Sequence, residues 1–313
     1  MSIEKMSSFS GVHETGTLYL VPTPIGNLGD MTERAVRTLK EVDLICAEDT
    51  RNTQKLLNHF EIDTPQISFH EHNTKERIPQ LIEKLLAGKN LAQVSDAGMP
   101  SISDPGHELV VACIENKIPV APLPGPNAAL TALIASGLLP QPFLFYGFLP
   151  RKNKEQKEEL EKLNNQTVTL IFYEAPHRLK KTVQAMADVF GPDRRVVLCR
   201  ELTKRYEEFL RGTLLDALKF AEEDEVRGEF VMIVEGNSHV EMPETVDLSE
   251  NTIEEEVNAL IESGKKPNDA IKEVAKRRKM KKQEVYNIFH HLDDSFRAGK
   301  ESGGKQNDRN IQK

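Results

Sequence analysis

Short apolar runs that break into loops of proline, glycine and aspartate alternate along this chain with stretches of helical periodicity, and this alternation limits the fold more than any other feature. Leu18-Tyr19-Leu20-Val21 is the first run, and PTPIGNLGD breaks it. A helix with Ala35, Val36 and Leu39 on one side then leads to the next run, VDLICA. LIEKLLAG before NLAQVSD, and HELVVACIENK before IPVAPLPG, repeat the order. Strand, loop, helix, strand predicts α/β layers around a largely parallel sheet, because parallel strands need a crossover and the crossing helices cover the sheet faces.

A crossing is expected near PLPGPNAA, where prolines flank Gly125 before a helical pattern over 128–136. Beyond it a second α/β unit is predicted from the runs TVTLIFYEA, RRVVLCREL and EFVMIVEG, with a helix over 178–189 and another in DALKFAEEDE. RKNKEQKEELEKL reads as a solvated helix whose five basic and four acidic residues nearly cancel. After Gly236 the chain turns polar, and three short helical patterns follow. The first uses Ile253, Val257, Leu260 and Ile261; the second Ile271, Val274 and Ala275; the third Val285, Ile288, Phe289 and Leu292. They predict a small bundle of helix-turn-helix character. The expected organisation is a frayed start (1–15), two α/β domains (16–125 and 126–240), a three-helix module (250–296) and a disordered tail (297–313).

Charge sharpens that division. The 313 residues hold 41 Lys and Arg against 49 Asp and Glu, a formal −8, which excludes a wholly basic protein that coats nucleic acid. Residues 265–313 nevertheless carry 14 basic and 7 acidic groups, net +7, so the first 264 carry −15. Within KKPNDAIKEVAKRRKMKK nine basic residues face two acidic ones, more than solubility requires, and phosphate contact is their natural use. No apolar run approaches the roughly 18 residues of a membrane span, and the first residues lack a secretory apolar core. A cytoplasmic protein is expected. Cys46, Cys113 and Cys199 stand far apart among apolar residues and read as buried free thiols.

The loops at strand ends carry the candidate chemistry. VPTPIGNLGD lacks the lysine of a P-loop and the GxGxxG of a dinucleotide site, and its prolines spoil an array of N–H donors, so polyphosphate chemistry is disfavoured. Taken alone it reads as structure before function. QVSDAGMPSISDPG concentrates Asp, Gly and Pro where neither helix nor strand can run, and here function outweighs structure: Asp96 can accept hydrogen bonds and Gly98 admits a ligand to the backbone. IFYEAPHR ends a strand in Glu174, His177 and Arg178, and AEDTRNT gathers Glu48, Asp49 and Arg51. Each is equally readable as a polar cleft or as a helix start. His70 and His72 could share one side of a strand, but no third ligand stands nearby, and no metal site is expected.

Together LYLVPTPIGNLGDMT, AEDTRNT, VSDAGMPSISDPG, PLPGPNAALTAL, FYGFLPRK and FYEAPHR resemble the bacterial 16S ribosomal RNA ribose 2'-O-methyltransferases, within the tetrapyrrole-methylase-like superfamily of S-adenosylmethionine-dependent enzymes. The likeness spans roughly residues 16–295. It implies two α/β domains with the methyl donor in a cleft between them, a C-terminal helical module, a homodimer, and the small ribosomal subunit or its 16S RNA as partner. By motif, donor contacts fall on Ile25, Gly26, Ser95, Asp96, Gly98, Ser101, Asn127, Ala128, Glu174 and Leu202. The candidate bases and orienting groups are Asp49, Arg51, Glu174, His177 and Arg178. RNA backbone is expected on Lys265, Lys266, Lys276, Arg277, Arg278, Lys279, Lys281 and Lys282. Two rival readings differ in class. A methylase of a small tetrapyrrole would share the donor cleft and leave the basic module unexplained, whereas a non-catalytic RNA binder would explain the module alone.

Overall fold

The structure, a computed structural model, describes residues 14–223, 226–238, 252–278 and 280–291. The chain divides into two compact units, Met1–Val240 and Glu241–Lys313. The expected disordered tail, most of the frayed start, Lys279 and Leu292 lie outside the described residues.

The first unit begins with β1 (Leu18–Leu20), α1 (Glu33–Glu41), β2 (Leu44–Ala47), α2 (Thr50–His59), β3 (Gln66–Ser68), α3 (Thr74–Leu86), β4 (Leu91–Val94), α4 (His107–Glu115) and β5 (Val120–Pro122). The strands form one sheet in the order β3-β2-β4-β1-β5, and every pairing is parallel. Parallel strands of a doubly covered sheet are buried on both faces, which is why β2 reads as an unbroken apolar run and β4 as one interrupted by the buried Gln93, whose amide donates to the Pro105 carbonyl. Ala35, Leu39 and Leu57 of α1 and α2 pack on one face with Val21, Ile45 and Ala92. Leu81, Leu85, Leu109 and Cys113 of α3 and α4 pack on the other with Leu18 and Leu91. The carboxyl ends of all five strands therefore lie along one edge, where ligands of such sheets collect.

After α5 (Ala128–Ser136) come β6 (Phe143–Phe148), α6 (Asn153–Leu163), β7 (Thr169–Glu174), α7 (Pro176–Phe190), β8 (Arg195–Arg200), β9 (Glu208–Thr213), α8 (Leu214–Glu223) and β10 (Phe230–Val234). This sheet runs β6-β7-β10-β8-β9 and is mixed: β6 and β7 are parallel and the other pairs antiparallel. Helices α6, α7 and α8 cover one face through Leu160, Leu179, Val183, Met186 and Leu214. Because α6 buries Gln156, Leu160 and Leu163, it is a packed amphipathic helix, more than the solvated one its charge suggests. Helix α5 covers the other face, and Ile25 from the loop after β1 packs into the same cluster as Ala129, Leu133 and Leu202. The two sheets are thus joined through a loop as well as through the chain.

The second unit holds α9 (Ile253–Glu262), α10 (Pro267–Arg277) and α11 (Lys282–Phe289) around Val257, Ala270, Ile271, Val274 and Val285. Helix α9 opens on a capping box in which Thr252 and Glu255 satisfy each other's backbone N–H groups. Gly264, at φ +95°, supplies the left-handed turn that closes it. All three cysteines are free and buried, and burial pushes each thiol up to about 12. Among the described residues no helix is long and apolar enough to cross a membrane.

Candidate active site

The loops after β1 and β4 are fastened to each other. The backbone N–H of Thr23 donates to the Gly98 carbonyl at 3.0 Å, and Gly98 returns the bond to Thr23 at 3.0 Å. The Thr23 hydroxyl donates to the Ser95 carbonyl at 3.1 Å, and the Ser95 hydroxyl to the Gly98 carbonyl at 3.2 Å. Gly98 sits at φ +80°, a conformation that a side chain would strain, and its backbone turns toward Ile25. Prolines 22 and 24 lack N–H groups, so this loop offers shape to a ligand more than donors.

A cavity of about 370 Å³ opens beside these loops and extends to the second sheet. Ile25, Glu48, Asp96, Gly98 and Asp104 line it from the parallel sheet; Asn127, Ala128, Tyr173, Glu174, Leu202, Lys204 and Val231 line it from beyond the crossing. Asn127 also caps α5 by accepting the Leu130 N–H at 2.9 Å. The Tyr173 hydroxyl accepts the Ala129 N–H at 3.2 Å, so the α5 start is tied to the β7 end. Of the ten positions where the resemblance places donor contacts, Ile25, Asp96, Gly98, Asn127, Ala128, Glu174 and Leu202 face this cavity. Gly26 and Ser95 instead line a neighbouring cavity of about 250 Å³, to which Asp96 also contributes. Ser101 lies outside both and meets the Gln93 amide at 3.4 Å, because its left-handed backbone (φ +69°) turns it toward β4.

Carboxylates dominate the electrostatics of the larger cavity. Burial first, and then the charges of Asp104 and Asp96, push Glu48 above its ordinary value, although an N–H of Asp96 opposes them. Burial also raises Asp104; the Ser95 hydroxyl pulls it down, and Asp96 adds to the push. Asp96 itself is pinned, its two oxygens accepting the Asp49 backbone N–H at 3.2 Å and the Asn52 side-chain amide at 3.0 Å. Such a group of carboxylates favours a cation beside it.

The five candidate bases and orienting groups are not brought together. Asp49 caps α2, accepts the Arg51 backbone N–H at 2.8 Å and pairs with the exposed Arg51 side chain at 2.7 Å. Its bonds to Arg51 hold that carboxyl down at about 2. Neither residue lines either of these two cavities, and neither does the exposed His177 at the start of α7. Arg178 donates to the Leu149 and Pro150 carbonyls at 3.0 and 3.2 Å, which fixes α7 to the end of β6. Glu174 reaches the cavity, yet its oxygens accept the Ala175 N–H at 2.9 Å and the Thr182 hydroxyl at 2.6 Å, with Arg178 at 3.4 Å. Glu48 was visible in the AEDTRNT cluster but stood outside the candidate bases, and nothing in the sequence singled out Asp104 or Lys204. Glu48 and Asp104 stood in loops of candidate chemistry, but which of several neighbouring acids faces inward is decided by the turn into the next helix.

In the helical unit the basic residues differ in availability. Lys265 and Arg277 both pair with Glu273, and Arg278 pairs with the buried Glu256. Lys266, Lys276, Lys281 and Lys282 are exposed. His70 and His72 lie in the turn after β3, not on a strand, with ring centroids 5.9 Å apart. No cluster suited to a metal ion occurs among the described residues.

Residues 17–218 match the family model described as Tetrapyrrole (Corrin/Porphyrin) Methylases, which gives the class of protein. A Streptococcus pyogenes serotype M3 protein named Ribosomal RNA small subunit methyltransferase I is 55% identical over 93% of this chain and 100% of its own length. A Bacillus subtilis (strain 168) protein of the same name is 53% identical over 92% of this chain and 99% of its own. The chain belongs to the ribosomal RNA small subunit methyltransferase I family. The solved uroporphyrin-III C-methyl transferase of Thermus thermophilus, complexed with S-adenyl homocysteine, shares the fold at TM-score 0.51 and 19% identity, covering 70% of this chain and 97% of that one.

Proposed function

We propose that this chain transfers a methyl group from S-adenosyl-L-methionine to small-subunit ribosomal RNA, at the ribose 2'-hydroxyl of a cytidine in the decoding region. The observation that carries the reading is the extent of the named relatives. A match over 93% of the chain cannot stop at residue 218, so these relatives share sequence beyond the methylase region, toward the basic helical unit. The cavity suits the donor. Glu48, Asp96 and Asp104 present negative charge to a sulfonium, and Ile25, Ala128, Leu202 and Val231 offer apolar walls to a planar base.

When bound, S-adenosyl-L-methionine supplies an activated methyl group on a positively charged sulfur. The chain must orient a hydroxyl toward that carbon and accept its proton. Glu48 fits the second task, because its raised proton affinity makes it a stronger base than an ordinary carboxylate, whereas Asp49 is spent on Arg51. Glu48 takes the proton as the hydroxyl oxygen bonds to the methyl carbon and the carbon–sulfur electron pair leaves with sulfur. Lys266, Lys276, Lys281 and Lys282 hold RNA backbone around the target.

A cytoplasmic homodimer completes the proposal. Leu130, Ile134, Leu139 and Phe143 are exposed along α5, the turn after it and the start of β6, an apolar face suited to a second copy. Replacing Ile134 by Glu should shift the chain to monomer in sedimentation. The function is tested by incubating the purified chain with tritiated S-adenosyl-L-methionine and small subunits from a strain that lacks it. Tritium in the 16S RNA at a ribose supports the reading; label on a base or on protein alone rejects it.

A further inference from the structure

The cavity of about 250 Å³ beside the donor site is bounded by Thr23, Gly26 and Leu28 of the loop after β1, by Asn52 and Lys55 of α2, and by Asp96. We propose that this smaller cavity seats the acceptor nucleotide, with its ribose hydroxyl at Asp96 and its phosphate on Lys55. The inference rests on the methyl-transfer reading above and assigns that reaction its second binding site.

Three observations carry it. In-line transfer needs donor and acceptor to meet across a single point, so their pockets must share a wall. Asp96 is that wall, since it lines both cavities. It is also held still, one oxygen by the Asp49 N–H and the other by the Asn52 amide. An ionised carboxylate has about four acceptor positions, so Asp96 retains capacity for a ligand hydroxyl. Adjacent residues of one loop divide the space: Ile25 faces the larger cavity and Gly26 the smaller.

The lining also fits one nucleotide better than a porphyrinoid. Pro24, Leu28 and Leu56 offer apolar surface to a base, while Lys55 is the one cation among the lining residues. A substrate with many carboxylates would find a single positive charge there and Asp96 opposing it. Gly26 permits the arrangement, because any side chain on it would run into Lys204 and Thr203 of the loop between β8 and β9.

The test uses the full chain with Lys55→Glu, Lys55→Arg and Asn52→Leu. Affinity for S-adenosyl-L-methionine is read by calorimetry, and KM and kcat are read with unmethylated small subunits. Loss of a phosphate contact should raise the KM for RNA about tenfold in Lys55→Glu. Donor affinity should stay within about twofold, and Lys55→Arg should restore the wild-type KM. Asn52→Leu, which frees Asp96, should lower kcat at saturating RNA. An unchanged KM in Lys55→Glu, or an equal loss of donor and RNA affinity, overturns the assignment. A wild-type chain that moves no methyl group to RNA overturns the reading beneath it, and the inference with it, before any variant is made.

Discussion

In the α/β unit the charges that matter are carboxylates turned inward on a cavity, where Glu48 and Asp104 are raised by burial and by the charge of Asp96. In the helical unit they are cations at the surface, and two acids, Glu256 and Glu273, already claim Lys265, Arg277 and Arg278. A residue count made both regions look simpler than they are. The net +7 of the terminal region overstates what can meet a phosphate, and the −15 of the remainder says nothing about the few acids that face a ligand. Position within the fold, more than formal charge, decides which groups act on a partner.

The largest expected effect lies in the cavity. Glu48→Gln should lower methyl transfer about 100-fold or more, the usual worth of a general base. With Glu48 as base, wild-type activity should climb as pH rises through its raised pKa, and the variant should lose that limb. The stability sign is opposite. A carboxyl whose folded pKa is raised costs stability as it ionises, so Glu48→Gln should melt higher than wild type at neutral pH. A lower-melting variant with an intact pH limb would break the assignment.

The next effect belongs to the helical unit. Arg278→Ala strands the buried Glu256 and should cost about 3 kcal/mol in local stability, read by hydrogen exchange of α9 and α10. Adding Glu256→Gln should recover part of the loss, since the uncompensated charge is gone. Changing Lys266, Lys276 and Lys282 together to Gln should leave that exchange unaltered and flatten the salt dependence of RNA binding by a slope of roughly 2. An unchanged slope would move RNA recognition away from this unit. The smallest effect is expected at Arg51. Arg51→Ala should let the Asp49 carboxyl, now about 2, titrate in the ordinary range by NMR, with donor affinity unmoved.

Much of the architecture was legible because parallel strands buried on both faces are largely apolar, as β2 is throughout and β4 is apart from Gln93. The strands that apolar runs did not reveal are edge strands. β3 is three half-buried residues with Gln66 at its head, and β9 has no fully buried residue, with Glu208 and Arg211 exposed. β6 is broken by a register shift between Phe145 and Gly147. In the site, the loops could be located because Asp, Gly and Pro crowd them. Roles within them could not be assigned. Glu48 and Asp49 are neighbours, and only the turn into α2 sends one toward the cavity and the other to cap the helix and bind Arg51. Arg178 likewise looked like a cleft residue until its contacts with the Leu149 and Pro150 carbonyls showed it holding α7 in place.

The central claim, methyl transfer to a ribose of small-subunit RNA by an acidic cleft with a basic helical unit, is tested most directly by mass mapping of 16S RNA from a strain deleted for this chain. One ribose methyl group should disappear at a decoding-region cytidine and return when wild type, but not Glu48→Gln, is supplied. An RNA identical in mass at every fragment, with or without the chain, would contradict it.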